Sequence, residues 1–272
     1  MANVHPLGGF AQDLQYPYPY RYTFIEPNYG DVWGNTFEGG SSQHPMDSVT
    51  PGEALIKQVY EAIRKSPVWN NSLLFITYDE HGGFYDSVPP PTSYAPNDGS
   101  PSTYNTNGFD FKTYGVRVPA VVVSPYIPAG SVWPAIYDHT SILKTLELWL
   151  GLPALTQRDQ FANGITSDNV RLTPTPRMDC PVTLNNPAAL PATPRPAVET
   201  RLISAAPQPL PESGNTRGFL TIALKTELEL SSGNPQKRAA IIEAYRNLKT
   251  GAEAKARVAN LVQQLRAAKS AR

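Results

Sequence analysis

Proline placement limits this chain more than any other feature. Of its 272 residues 28 are proline, and ten of these fall between Pro174 and Pro211. Proline has no amide hydrogen to donate and a locked φ, so that stretch is excluded from helix interiors and central strands. It predicts an extended, polyproline-like strap over residues 171–212. The strap divides the chain into an N-terminal part, 1–170, and a C-terminal segment, 213–272. The C-terminal segment is rich in Ala, Leu, Lys and Glu. There Phe219–Leu230, Pro235–Lys249 and Ala252–Ala268 predict two or three amphipathic helices. They form either a helical cap on the rest or a separate interaction module.

The N-terminal part opens with a loop-like stretch rich in Tyr, Pro, Gly and Asn, in which only Tyr22–Ile25 reads as a short strand. From Pro51 the pattern changes. Leu55, Ile56, Val59, Tyr60 and Ile63 recur at helical spacing, with Pro51 and Glu53 suited to a first turn and a stop near Ser66-Pro67. Leu73–Thr77 and Val118–Val123 are short apolar runs of the buried-strand kind. Residues 86–115 between them are turn-rich and predict a long loop over a site. Ser141–Leu150 predicts a helix with Ile142, Leu143, Leu146, Trp149 and Leu150 on its apolar side, a cap from Asp138 or Thr140, and a stop at Gly151. Helix, strand, loop, strand, helix is an α/β pattern, with parallel strands expected.

Formal net charge is +0, which gives no reason to invoke nucleic acid or an anionic surface as partner. A single Cys180 excludes an intramolecular disulfide framework and a Cys-based zinc cluster. No apolar run reaches the roughly 18 residues of a membrane span. The first twenty residues show neither the basic nor the apolar region of a signal peptide, and the compartment stays open.

Chemistry concentrates in Thr77-Tyr78-Asp79-Glu80-His81-Gly82-Gly83. Ligands of open α/β sheets bind beyond the carboxyl ends of strands, which is where this cluster follows its apolar run. Two adjacent carboxylates repel each other unless a cation or a shared proton relieves them. Asp79 and Glu80 therefore read as ligands of a divalent cation, and oxygen ligands favour the Mg, Ca or Mn class over zinc. The alternative is a solvated turn. His81 suits orienting the carboxylates, ligating a metal or protonating a leaving group, or a structural place in the turn. His44 sits in loop-like SSQHPMD, and His139 in YDHTSIL stands at a helix start, where Asp138 fixes its tautomer or the group merely caps the helix. No Gly-x-Ser-x-Gly elbow, phosphate loop or dinucleotide glycine signature appears.

These residues resemble the bacterial phosphoesterase family that includes non-haemolytic phospholipases C and an acid phosphatase. The resemblance rests on YTFIEPNYG, His44-Pro45, GEALIKQVYEAIRKSPVWNNSLLFITYDEHGGFYDSVPPP, GVRVPAVVVSPYI and DHTSILKTLELWLGLPALTQRD, and covers about Tyr22 to Asn163. It implies an alkaline-phosphatase-like sheet with flanking helices and hydrolysis of phosphate esters, phospholipids among them. It implies metal ligation by Asp79 and Glu80. His44 is implied to contact the phosphoryl group or assist the leaving group, with His81 beside it. An enzyme hydroxyl then attacks phosphorus in line and water resolves the phosphoenzyme. Family members are typically exported.

The chain departs from the family pattern in three places. No Glu-Asn dipeptide supplies the opposing metal ligands, no Ser or Thr is assignable as nucleophile by motif, and Asp86-Ser87 stands where many members have Asp-His. The expectation is a C-terminal portion of such an enzyme, with nucleophile and opposing ligands upstream of Met1. The alternative is a non-catalytic remnant or binding module with a partial metal site. Either way, uncovered sheet surface is expected to promote self-association.

Overall fold

The computed structural model describes residues 4–32, 37–45, 47–99, 108–165, 172–188, 209–210, 215–231 and 233–270. The chain gathers into two compact units. One comprises Met1–Pro6, Phe24–Leu55 and Pro187–Arg272, the other Leu7–Thr23 and Ile56–Asn186. The architecture is mixed α/β. In chain order the elements are α1 (Phe10–Asp13), α2 (Thr50–Arg64), β1 (Leu74–Thr77), β2 (Ala120–Val123), α3 (Thr140–Leu150), α4 (Gln157–Phe161), α5 (Asn215–Leu230), α6 (Pro235–Arg246) and α7 (Gly251–Ser270).

In the second unit α2 buries Val59, Tyr60, Ala62 and Ile63, the stripe its apolar spacing predicts. Tyr60 meets Trp69 edge-on at 6.0 Å between ring centroids. Polar groups on α2 hold the described part of the strap. Lys57 Nζ donates to Leu184 O at 2.6 Å, Leu184 N donates to Glu61 Oε1 at 3.0 Å, and the Arg64 guanidinium donates to Cys180 O. Residues 172–188 contain neither helix nor strand, as the prolines require. The middle of the strap, 189–208, lies outside the described residues.

Strands β1 and β2 pair antiparallel, Leu74 opposite Val123 and Thr77 opposite Ala120, where parallel pairing was expected. The connection explains the difference. A parallel pair needs a crossover, usually a helix, whereas this loop goes out and returns on itself. Ser93 N donates to Lys112 O at 2.8 Å, Tyr114 N donates to Pro91 O at 3.0 Å, and Thr92 bridges Thr113. The chain therefore re-enters the sheet at the end it left. The loop packs on α4, through Arg158 to Phe111 O and Tyr94 stacked on Phe161 at 4.4 Å.

Two further expectations change. Neither strand is fully buried, and Val121 is 54 % exposed, because the described sheet has only these two strands. Tyr22–Ile25 is not a strand. Tyr22 and Phe24 stand exposed there, and among the described residues no segment pairs with them as a strand.

Helix α3 starts and stops as its sequence predicts, with Gly151 left-handed at φ 66° as the terminator. Its inward face is a correction. Ser141, Thr145 and Glu147 are buried, while Leu143, Leu148 and Trp149 are exposed. Polar partners set this orientation. Ile165 N donates to Thr145 Oγ1 at 2.9 Å, and Glu147 lies beside Asp159 of α4, whose carboxylate closes a reciprocal cap with Thr156.

In the other unit α5–α7 share a core of Leu210, Leu220, Ala223, Tyr245, Ala254 and Leu261. Arg257 forks onto Glu227, and its guanidinium carbon lies over the Tyr245 ring, 5.2 Å from the centroid. Among the described residues no helix is long and apolar enough to cross a membrane.

Candidate functional site

The first acid, Asp79, lies two residues beyond Thr77, the last ladder position of β1, so its backbone is free to turn. The turn is local. Phe84 N donates to His81 O at 3.1 Å, and both central residues are left-handed, Gly82 at φ 66° and Gly83 at φ 76°. Two consecutive positive φ values make a type I′ turn, which a side chain at either position strains. Gly82→Val is expected to destabilise the turn by about 1–2 kcal/mol. Amide exchange at Phe84, accelerated about tenfold for 1.4 kcal/mol, measures it, and unchanged exchange counts against the turn assignment.

Within that turn each carboxylate gives one oxygen to a nearby amide. Asp79 Oδ1 accepts from Glu80 N at 3.0 Å, and Glu80 Oε2 accepts from Gly82 N at 2.9 Å. Both residues are exposed, and each keeps a second oxygen outside these bonds. Two carboxylate oxygens of this kind suit a hard divalent cation. Among the described residues no three His, Cys, Asp or Glu side chains gather into a group that could hold a metal ion. His81 lies in the same turn, its Nδ1 2.9 Å from Phe84 O. A carbonyl only accepts, so Nδ1 carries a hydrogen, and in the neutral ring Nε2 holds the lone pair.

His44 belongs to the other compact unit. Its ring stacks on Phe37 at 4.3 Å and 12° between planes, and its Nδ1 is buried without a hydrogen-bond partner. Phe37 and Gln43 both have positive φ, 58° and 60°. Side chains rarely adopt that conformation, and such strain gathers at functional loops. The structure thus brings Asp79, Glu80 and His81 together, while His44 is placed within its own unit.

Two contacts around the acidic turn escape sequence reasoning. Arg117 forks onto Asp86, Nε to Oδ2 at 2.6 Å and Nη2 to Oδ1 at 2.8 Å. The Arg117 hydrogen bonds hold the Asp86 carboxyl down at about 2. His139 Nε2 lies 2.7 Å from Tyr78 O. These partners are 31 and 61 residues apart in sequence, and no spacing rule connects them. Asp138 does the capping, with Oδ1 accepting from Thr140 N at 2.8 Å, and His139 makes no cap bond.

Comparison with known proteins places this geometry in a family. The chain is 42 % identical over 182 residues to non-specific phospholipase C5 of Arabidopsis thaliana, covering 62 % of this chain and 33 % of the relative. It is 38 % identical over 117 residues to a non-hemolytic phospholipase C of Burkholderia pseudomallei, covering 39 % and 17 %. It is 34 % identical over 142 residues to phospholipase C B of Mycobacterium tuberculosis, covering 46 % and 26 %. The chain spans about a third of the length of the plant relatives it matches. The Phosphoesterase family model matches residues 1–153, which contain the acidic turn, His44 and His139, and the chain belongs to that family.

Proposed function

We propose that this chain carries the metal-binding side of a phosphate-ester hydrolase of the phospholipase C type. The observation that supports it most is the pair Asp79 and Glu80, exposed at the open end of β1 in a Gly-Gly turn, inside the region shared with phospholipases C. Asp79 and Glu80 would hold a divalent cation of the Mg, Ca or Mn class. When bound, such a cation neutralises charge on the phosphoryl oxygens. His81, with Nε2 as acceptor, takes or returns a proton near the ester. His44 presents a buried imidazole nitrogen with no protein partner, suited to a phosphoryl oxygen or a leaving group. The substrate class proposed is a phospholipid, by analogy with what the relatives are named for, or a simple phosphate monoester.

A second reading, a binding module with a partial metal site, is favoured by the two-carboxylate ligand set. Turnover of p-nitrophenyl phosphorylcholine and p-nitrophenyl phosphate with Mn2+, Ca2+ or Mg2+, against chelator, separates the two. Chelator-sensitive turnover supports the hydrolase, and cation binding without turnover supports the module. We further propose that the exposed apolar residues of this unit, Val121 on the sheet with Val132, Leu148 and Trp149, drive self-association. Sedimentation should then show oligomers at micromolar concentration, and a clean monomer speaks against it.

A further inference from the structure

Among the described residues, the acidic turn is tied to the rest of its unit at both ends. At the far end Arg117 grips Asp86. At the near end His139 reaches across from the start of α3 to Tyr78, the residue before Asp79. The β1–β2 ladder stops at Thr77 opposite Ala120, so sheet pairing does not orient the Tyr78 carbonyl. His139 does so through a 2.7 Å bond to the Tyr78 oxygen. Because that oxygen only accepts, Nε2 is the protonated nitrogen.

His139 stands at the N-cap of α3, a position whose side chain ordinarily accepts from the first helical amides. It makes no such bond. Asp138 Oδ1 accepts from Thr140 N and Oγ1, and Ser141 Oγ accepts from Asp138 N. Helix capping is therefore satisfied without the imidazole, and the ring is committed to the strand end.

We propose that His139 is a positioning residue for Asp79 and Glu80. The Tyr78 carbonyl and the Asp79 amide share one rigid peptide plane. Fixing the oxygen restrains that plane, and with it the Asp79 amide and Cα from which the carboxylate projects. The adjoining Glu80 is then set through the hydrogen bond its backbone N–H donates to Asp79 Oδ1. His139 acts through the backbone and touches no reacting atom. The proposal rests on the reading of Asp79 and Glu80 as cation ligands.

The test compares the full chain with His139→Leu and His139→Gln, the latter keeping a side-chain N–H. Two readouts are taken: the carbonyl 13C shift of Tyr78 in the metal-free protein, and Mn2+ affinity by calorimetry. A lost hydrogen bond at the carbonyl moves its 13C signal upfield, and His139→Leu is expected to show that shift. The same variant is expected to bind Mn2+ about fivefold more weakly, the worth of one hydrogen bond of about 1 kcal/mol. His139→Gln is expected to recover both. An unmoved Tyr78 signal, or wild-type Mn2+ affinity in His139→Leu, overturns the proposal. A wild-type chain that binds no Mn2+ overturns instead the ligand reading beneath it. Should His139→Leu unfold, His139→Gln decides alone. It must keep the carbonyl signal and the affinity, and loss of both in a folded protein refutes rescue by a donor.

Discussion

On the proposed ligand role, replacing Asp79 by alanine is expected to lower Mn2+ affinity by about a hundredfold, because it would remove one of two anionic ligands and leave the cation a single carboxylate. Any cation-dependent turnover should fall at least as far. Alanine also removes the oxygen that accepts from Glu80 N at 3.0 Å, so the loss mixes charge with turn geometry. Asp79→Asn separates them. Its amide oxygen keeps the bond to Glu80 N while the negative charge disappears. Calorimetry should find Asp79→Asn nearly as weak as Asp79→Ala, with Gly82 and Phe84 amides exchanging as in wild type. If the asparagine variant binds as tightly as the parent, charge at Asp79 is not what holds the cation, and the ligand role fails. If both variants bind and turn over substrate normally, the site lies elsewhere.

The parts of this molecule that sequence reveals are those settled by near neighbours. Helix α2 follows from Leu55, Ile56, Val59, Tyr60 and Ile63, and Gly151 ends α3 because only a residue at ease with positive φ can do so there. The helices α5–α7 differ by a few residues from their sequence limits. The acidic turn was legible for the same reason, since Asp79, Glu80, His81 and both glycines are contiguous. What was not legible depends on distant partners. Strand direction was decided by a loop that folds back through Ser93 and Lys112, and strands of this length look alike in either sense. The inward face of α3 was decided by Thr145 meeting Ile165 and Glu147 meeting Asp159, which overrode the apolar periodicity of Leu143, Leu146 and Leu150. The contact of His139 with Tyr78 O involves a backbone atom that every residue possesses, so nothing in the sequence marks it.

Asp159→Ala is expected to destabilise the second unit by about 3 kcal/mol, the range for stripping one partner from a buried charged network. Asp159 is 1 % exposed. It accepts from Leu155 N at 2.6 Å, from Thr156 N at 2.8 Å and from Thr156 Oγ1. Alanine leaves those donors facing a cavity. Burial by itself pushes the Asp159 carboxyl up, but hydrogen bonds from Thr156, Glu147 and the Leu155 amide outweigh it and hold the group at about 2. Glu147 moves the other way. Burial first, then the neighbouring Asp159, raise it, against a weaker pull from Lys144. Glu147 Oε1 is buried with no hydrogen-bond partner, which is resolved if Glu147 carries the proton and donates a hydrogen bond to the ionised Asp159. The two signs differ. Asp159 has a depressed folded value, so its contribution is complete above its ordinary 3.8 and is lost as pH falls toward 2. Glu147 has a raised folded value, so its contribution is complete below its ordinary 4.5 and is lost as pH rises through the folded value. The pair therefore favours mild acid. Glu147→Gln keeps a neutral donor in place and should be nearly neutral at low pH but stabilising at pH 8. Urea unfolding followed by tryptophan fluorescence reports on this unit, since Trp69, Trp133 and Trp149 lie in it. A Glu147→Gln chain whose stability relative to wild type is the same at pH 4 and pH 8 shows that Glu147 does not hold the proton.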